Sequence, residues 1–249
     1  MALTVHQFPC LSDNYGFLIR DEASGKVATI DTPDAAAIQA ELTKLGWNLD
    51  LILNTHWHPD HAGGNEALKT ATGATITGPA EVTRIAPLDR VVRGGDVAML
   101  GETRFTVIDS GGHTLGHVAY HDAADAIAFV GDTLFALGCG RLFEGTAEQM
   151  WESLTRLAGL PDETTVYCAH EYTASNARFA LSVDDDPALK TRADAVFAAR
   201  ERGEATVPTT IAAEKATNPF LRAPRLRPNA ASPAEAFAEI RAAKDSFKG

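Results

Sequence analysis

At 249 residues, with 45% hydrophobic and 22% charged side chains, the chain can form one large domain, or one domain with a smaller appendage, of a soluble globular protein. Its net charge of −11 argues against a nucleic-acid partner, and no apolar run of about 18 residues offers a membrane span. Three cysteines (Cys10, Cys139, Cys168) are too few and too uneven for a disulfide framework, and the first residues lack the basic-then-apolar order of a secretory leader, so a cytoplasmic protein is expected.

In chain order, Leu3–Phe8, Tyr15–Ile19 and Val27–Ile30 read as strands and Ala35–Leu45 as a helix. Leu49–Leu53 is a buried strand running into a polar loop. A helix over Asn65–Thr72 ends at Gly73, a glycine in the C-cap position. Strands follow at Ala74–Thr77, Arg90–Val92, Val97–Leu100, Phe105–Asp109, His117–His121 and Ala126–Val130, with Asp122–Asp125 as a hairpin turn. An amphipathic helix, Ala147–Leu160, precedes a last strand at Thr165–Cys168. Strands with interspersed helices predict an α/β sandwich with helices outside two packed sheets. Composition shifts after about Tyr172. Alanine-rich helical segments at Ala174–Val183, Pro187–Arg202, Ile211–Thr217 and Pro233–Phe247 predict a small helical domain. The boundary is therefore drawn between a catalytic domain, 1–172, and a helical substrate-binding domain, 173–249. The second segment carries 12 Lys/Arg against 10 Asp/Glu and the first 10 against 23, so the second is the better place for an anionic ligand.

The chemistry concentrates in Thr55-His-Trp-His-Pro-Asp-His61, where His56, His58, Asp60 and His61 are four metal donors in six positions. Pro59 argues against an unbroken helix through them, so a loop at the end of a strand is expected. Six residues cannot wrap four donors round one ion without strain, and two neighbouring ions are the simpler reading. Three further candidates lie where strands end: His113 after Asp109-Ser-Gly-Gly, Asp132 after Phe129-Val-Gly, and His170 after Val166-Tyr-Cys-Ala. Asp31, which closes the Val27–Ile30 strand, is a candidate to orient a ligating imidazole from outside the ligand set.

The order HxHxDH, then His, Asp and His, resembles the metallo-β-lactamase superfamily. Gly138-Cys-Gly-Arg-Leu-Phe-Glu-Gly-Thr146, His170-Glu-Tyr-Thr173, Asn218-Pro-Phe220 and Arg241-Ala-Ala-Lys-Asp-Ser-Phe247 resemble, more narrowly, the glyoxalase II (hydroxyacylglutathione hydrolase) family. The likeness runs from Asp13-Asn-Tyr15 almost to the C-terminus. It implies an αββα fold with a C-terminal helical domain. It implies one metal on His56, His58 and His113, a second on Asp60, His61 and His170, and Asp132 bridging them, with Asp132, Asp60 and His61 central to catalysis. It places Arg141, Phe143, Tyr172, Arg241 and Lys244 around glutathione. Arg141 stands where many relatives have Lys, and Phe143 where some have Tyr.

The implied reaction is hydrolysis of S-(2-hydroxyacyl)glutathione, such as S-D-lactoylglutathione, to glutathione and D-lactate, the second step of methylglyoxal detoxification. Two divalent ions, zinc first with iron or manganese as alternatives, would supply a hydroxide near neutral pH and a Lewis acid for the oxyanion. A thiolate leaving group needs little general acid, and no Gly-x-Ser-x-Gly elbow suggests another nucleophile. A monomer is expected. The competing reading is a mono-iron glutathione persulfide dioxygenase of the same superfamily, for which seven ligands are more than needed.

Overall fold

The computed structural model describes residues 3–249; Met1 and Ala2, which open the stretch read for a leader, lie outside it. Two compact units form. One comprises the chain up to Asp109 together with Thr114–Gly131, the other Ser110–His113 together with the chain from Asp132 onward.

In the first unit, β1 (Leu3–Cys10) and β2 (Asn14–Asp21) make a hairpin paired from Leu3↔Asp21 to Cys10↔Asn14, and β3 (Val27–Ile30) joins it antiparallel. Helix α1 (Ala35–Leu45) then carries the chain to β4 (Leu51–Leu53), parallel to β3. Asp34 caps α1 by accepting from the Ala36 and Ala37 amides, and Gly46 ends it with φ 65°. Its apolar stripe, Ile38 and Leu42, packs on Leu18, Val27, Ile52 and Ile76. After β4 come α2 (Pro59–Ala62) and α3 (Asn65–Thr72), then β5 (Thr75–Gly78) and β6 (Arg90–Val91), both parallel additions. A meander follows, β7 (Val97–Leu100), β8 (Thr103–Asp109), β9 (Val118–Asp122) and β10 (Ile127–Gly131), each antiparallel to the next. The two sheets pack face to face through rings such as Phe17 on β2 and Phe129 on β10, edge-on with centroids 5.7 Å apart.

The second unit holds a tiny hairpin of β11 (Leu134–Phe135) and β12 (Gly138–Cys139), then α4 (Ala147–Ala158) and β13 (Thr165–Cys168). Helices α5 (Thr173–Val183) and α6 (Pro187–Glu201) lead to β14 (Thr209–Thr210), antiparallel to β13. Then come α7 (Ile211–Thr217), α8 (Ala223–Leu226) and α9 (Pro233–Ser246). Ala177, Ala180, Leu189 and Ala193 form the small α5–α6 core, where alanines permit close helix approach. Ser232 caps α9 on the Glu235 amide with Pro233 in the first turn, and the Glu235 carboxylate accepts from the Ala231 amide.

The structure departs from the sequence reading in short elements. Pro59 does not keep the motif off a helix; it starts one, because the first helical turn needs no proline N–H. His56 and His58 precede that turn, and Asp60 and His61 lie on it. Hairpin β11–β12, strand β14, helix α8 and a 3₁₀ turn at Ala80–Arg84 were not anticipated.

Candidate metal centre and substrate cleft

In the first unit the parallel strands deliver polar residues at their C-terminal ends: Asp31 after β3, and Asn54, Thr55 and His56 after β4. All four are buried. Asp31, at φ 57°, accepts from the Thr55 amide (2.7 Å) and, through Oδ2, from the Thr55 hydroxyl (2.8 Å). The same Oδ2 lies 2.8 Å from His61 Nδ1. One carboxylate thus ties both ends of the motif together.

These partners fix the ring protons. A carboxylate only accepts, so His61 Nδ1 carries hydrogen and its Nε2 is the lone-pair nitrogen. The Thr55 hydroxyl spends its hydrogen on Asp31, so it accepts from His56 Nδ1, 3.0 Å away, and His56 Nε2 is likewise a lone pair. That Nε2 faces His58 Nδ1 at 3.0 Å, and His61 Nε2 lies 3.6 Å from Asp60 Oδ2. Asn14 donates to Asp60 Oδ2 at 3.1 Å, and Asn54 donates to the His61 carbonyl at 3.0 Å. His117 stacks on His56 with centroids 4.7 Å apart. It sits so close to Gly131 that any Cβ there would come within 2.6 Å of its Nε2.

In the second unit His113, Asp132 and His170 meet. His113 Nδ1 lies 2.9 Å from the Arg141 carbonyl, so its Nε2 is the lone pair, and that atom lies 3.4 Å from Asp132 Oδ2. His170 Nε2 lies 3.3 Å from Asp132 Oδ1. Each oxygen of one carboxylate therefore faces a different imidazole. When His113 is neutral its Nε2 lone pair repels the facing carboxylate oxygen, and a cation between them, a proton or a metal ion, removes that repulsion; the donor set is therefore one a metal fits. Nitrogen and oxygen donors without thiolate suit divalent zinc, iron or manganese. Gly140 closes over this corner: a Cβ there would meet the Asp132 carbonyl at 2.0 Å.

Next to these donors opens a cleft of about 400 Å³ whose walls include His113, Asp132, Arg141, Tyr172, Arg241 and Lys244. Phe143, 62% exposed, stands edge-on to His113 at the rim, and Tyr172 lies parallel to the His170 ring at 4.7 Å. Arg141 is exposed. Arg241 is buried and already engaged, with Nε and Nη2 on Asp245 and Nη1 on the Cys139 carbonyl. Lys244 is half-buried and donates to the Ser175 carbonyl at 3.1 Å. Burial first, then the neighbouring Arg241 and Arg141 charges, depress its pKa to about 8. Burial pushes the Cys139 thiol up to about 11, so it lines the cleft as an inert group.

Residues 17–170 match the metallo-beta-lactamase superfamily, and residues 171–247 match the hydroxyacylglutathione hydrolase C-terminus. The hydroxyacylglutathione hydrolase of Maricaulis maris is 58% identical over 98% of this chain and 99% of that protein. That of Erythrobacter litoralis is 53% identical over 98% of this chain and 100% of its own. The chain belongs to the hydroxyacylglutathione hydrolase family. Among solved structures, ETHE1 from Myxococcus xanthus is similar with a TM-score of 0.72 and 30% identity, over 96% of this chain and 90% of that one. TTHA1623 in a di-iron-bound form gives 0.64 and 26%, over 88% and 100%. The metallo-β-lactamase fold with a C-terminal helical region follows. Among the described residues no helix is long and apolar enough to cross a membrane.

For this hydroxyacylglutathione hydrolase family member, sequence reasoning missed Asn14, Thr55, Ser175 and Asn176. Asn14 sits inside the Asp13-Asn-Tyr15 segment that carried part of the resemblance, a signal that pointed to it. Ser175 and Asn176 are ordinary helix residues, and only the folding of α5 against the cleft gives them a place.

Proposed function

We propose that the protein hydrolyses the thioester of S-(2-hydroxyacyl)glutathione, releasing glutathione and a 2-hydroxy acid, with S-D-lactoylglutathione as the type substrate and methylglyoxal detoxification as the setting. The ligand assignment follows the family pattern: His56, His58 and His113 for one ion, Asp60, His61 and His170 for the other, and Asp132 common to both. Zinc is the first choice of metal. A cytoplasmic monomer is proposed. The observation that carries the reading is a single cleft lined both by the His113–Asp132 pair and by three cations, Arg141, Arg241 and Lys244. Glutathione is an anion with two carboxylates, and a cleft that joins cations to a His–Asp pair suits its thioester.

When bound, the divalent ions lower the pKa of water toward about 7 and act as Lewis acids at the carbonyl oxygen. The protein's own side chains do the rest. Asp31, Thr55 and the Arg141 carbonyl hold His61, His56 and His113 in the tautomers that present Nε2. Protonated Lys244 attracts the glycine carboxylate. Phe143 stands edge-on to His113 and Tyr172 lies against the His170 ring, so both aromatics border the donors. The leaving thiolate departs without a dedicated acid, since a thiol pKa of about 8.5 makes it a stable anion.

Thioester loss from S-D-lactoylglutathione, measured with metal content on the same sample, tests this. Turnover with about two ions per chain is expected. A fully loaded protein without turnover would sink the assignment, and one iron per chain with oxygen uptake on glutathione persulfide would establish the dioxygenase reading instead.

A further inference from the structure

The β11–β12 hairpin is too short to hold itself. Its two pairs, Leu134↔Cys139 and Phe135↔Gly138, are joined through Ala136 and Leu137, and Leu137 adopts φ 57°, a region that a bulky side chain avoids. Four side chains from three helices, α5, α7 with its C-cap, and α9, grip its backbone. Asn218 donates to the carbonyls of Phe135 (3.2 Å) and Gly138 (2.9 Å). Asn176 donates to the Ala136 carbonyl at 3.1 Å, and Arg241 to that of Cys139 at 3.1 Å. Glu214 accepts the Leu137 amide at 2.9 Å.

Glu214 is fully buried and fully used. Oε2 takes the Leu137 amide and the Asn218 amide group at 2.9 Å; Oε1 takes the Thr209 hydroxyl at 2.6 Å and the Arg192 guanidinium. Four donors on four lone-pair sites leave no alternative arrangement of the carboxylate. Both strands of the hairpin lead to one place. Two residues before it is Asp132; two residues after it is Arg141, whose carbonyl fixes the His113 tautomer. The Gly140 amide, donating to the Thr133 carbonyl at 3.2 Å, ties these flanks together.

We propose that Glu214 and Asn218 are positioning residues that act through the 134–139 hairpin to set Asp132 and the Arg141 carbonyl against His113. The inference rests on the reading of Asp132 and His113 as metal ligands. Neither Glu214 nor Asn218 touches the donors themselves, and burying a carboxylate at this depth is a heavy cost for a two-residue turn that merely linked two elements.

Asn218→Ala and Glu214→Gln test it in parallel, with Leu154→Ala in the buried face of α4 as a control of comparable destabilisation. Zinc retention against a chelator is measured on the folded protein, alongside kcat and KM for the thioester. Either positioning variant is expected to weaken zinc retention and lower kcat by about 10- to 100-fold, with KM within about threefold, while Leu154→Ala lowers Tm and leaves zinc retention unchanged. Folded variants that keep zinc within about threefold of the parent overturn the proposal. So does failure of both variants to fold, which assigns the two residues to the fold alone. If the parent protein held zinc but hydrolysed no thioester, the proposed activity would fail while the zinc comparison still stood.

Discussion

The donors of the first unit are crowded into six consecutive residues and are held by neighbours close in space and partly in sequence. Those of the second unit come from three separated loops and are held by side chains far along the chain. His56 and His61 are oriented by Thr55 and by Asp31, at the end of an adjacent parallel strand. Asp132 depends on a hairpin gripped by Asn176, Glu214, Asn218 and Arg241. A contiguous motif on the edge of a rigid sheet needs one orienting carboxylate. A dispersed one needs a scaffold of its own.

The sharpest way to break the comparison is Asp132→Ala, which removes the carboxylate shared by His113 and His170. We expect activity to fall by more than about 1,000-fold and bound metal to drop by one ion or more per chain. Retention of both ions, measured by elemental analysis, would deny Asp132 the common role. Next is Asp31→Ala. It leaves every proposed ligand in place but frees His61 and Thr55, and a loss of about 10- to 100-fold in metal affinity or kcat is expected. Chelator competition distinguishes this from an unaltered site. Asp31→Asn keeps a side chain that tolerates positive φ and should fall between the two.

The cleft answers a smaller perturbation. Lys244→Met should raise KM by about 10-fold with kcat nearly unchanged, because it removes the charge-assisted contact proposed for a substrate carboxylate. In the parent protein the Lys244 pKa lies near 8, set by burial, Arg241 and Arg141, with Cys139 and Asp245 also facing it. On the proposed reading the protonated form binds the anion, so affinity is present below that pH and lost as pH rises through it. The limb in KM should vanish in Lys244→Met; its persistence would assign the titration to another group. Smallest of all, Phe143→Tyr at the exposed rim adds one hydroxyl, and a change in KM of no more than about threefold is expected.

What the sequence revealed follows the same division. The longer strands to within two residues at their ends, the α1 and α3 boundaries and the 55–61 motif were legible because periodicity, caps and donor spacing are local signals. The hairpin was not. Leu134-Phe-Ala-Leu-Gly-Cys139 is buried at every position, so it carries no alternation, and its stabilising partners lie about 40 to 100 residues away. Pro59 was read for what it forbids inside a helix, whereas its place here is the first turn. The resemblance supplied Arg241 as a substrate group, but could not reveal that most of its guanidinium is committed to Asp245 and Cys139.

That commitment divides the cleft's cations by how freely they can change. Arg241 is a structural post as well as a charge, so replacing it would slacken the wall it supports. Lys244 and Arg141 bear no comparable backbone load on β12. Retuning the cleft toward a differently charged thiol carrier should therefore begin at Lys244, Arg141 and the exposed Phe143, with Arg241 left as the fixed point around which new preferences can evolve.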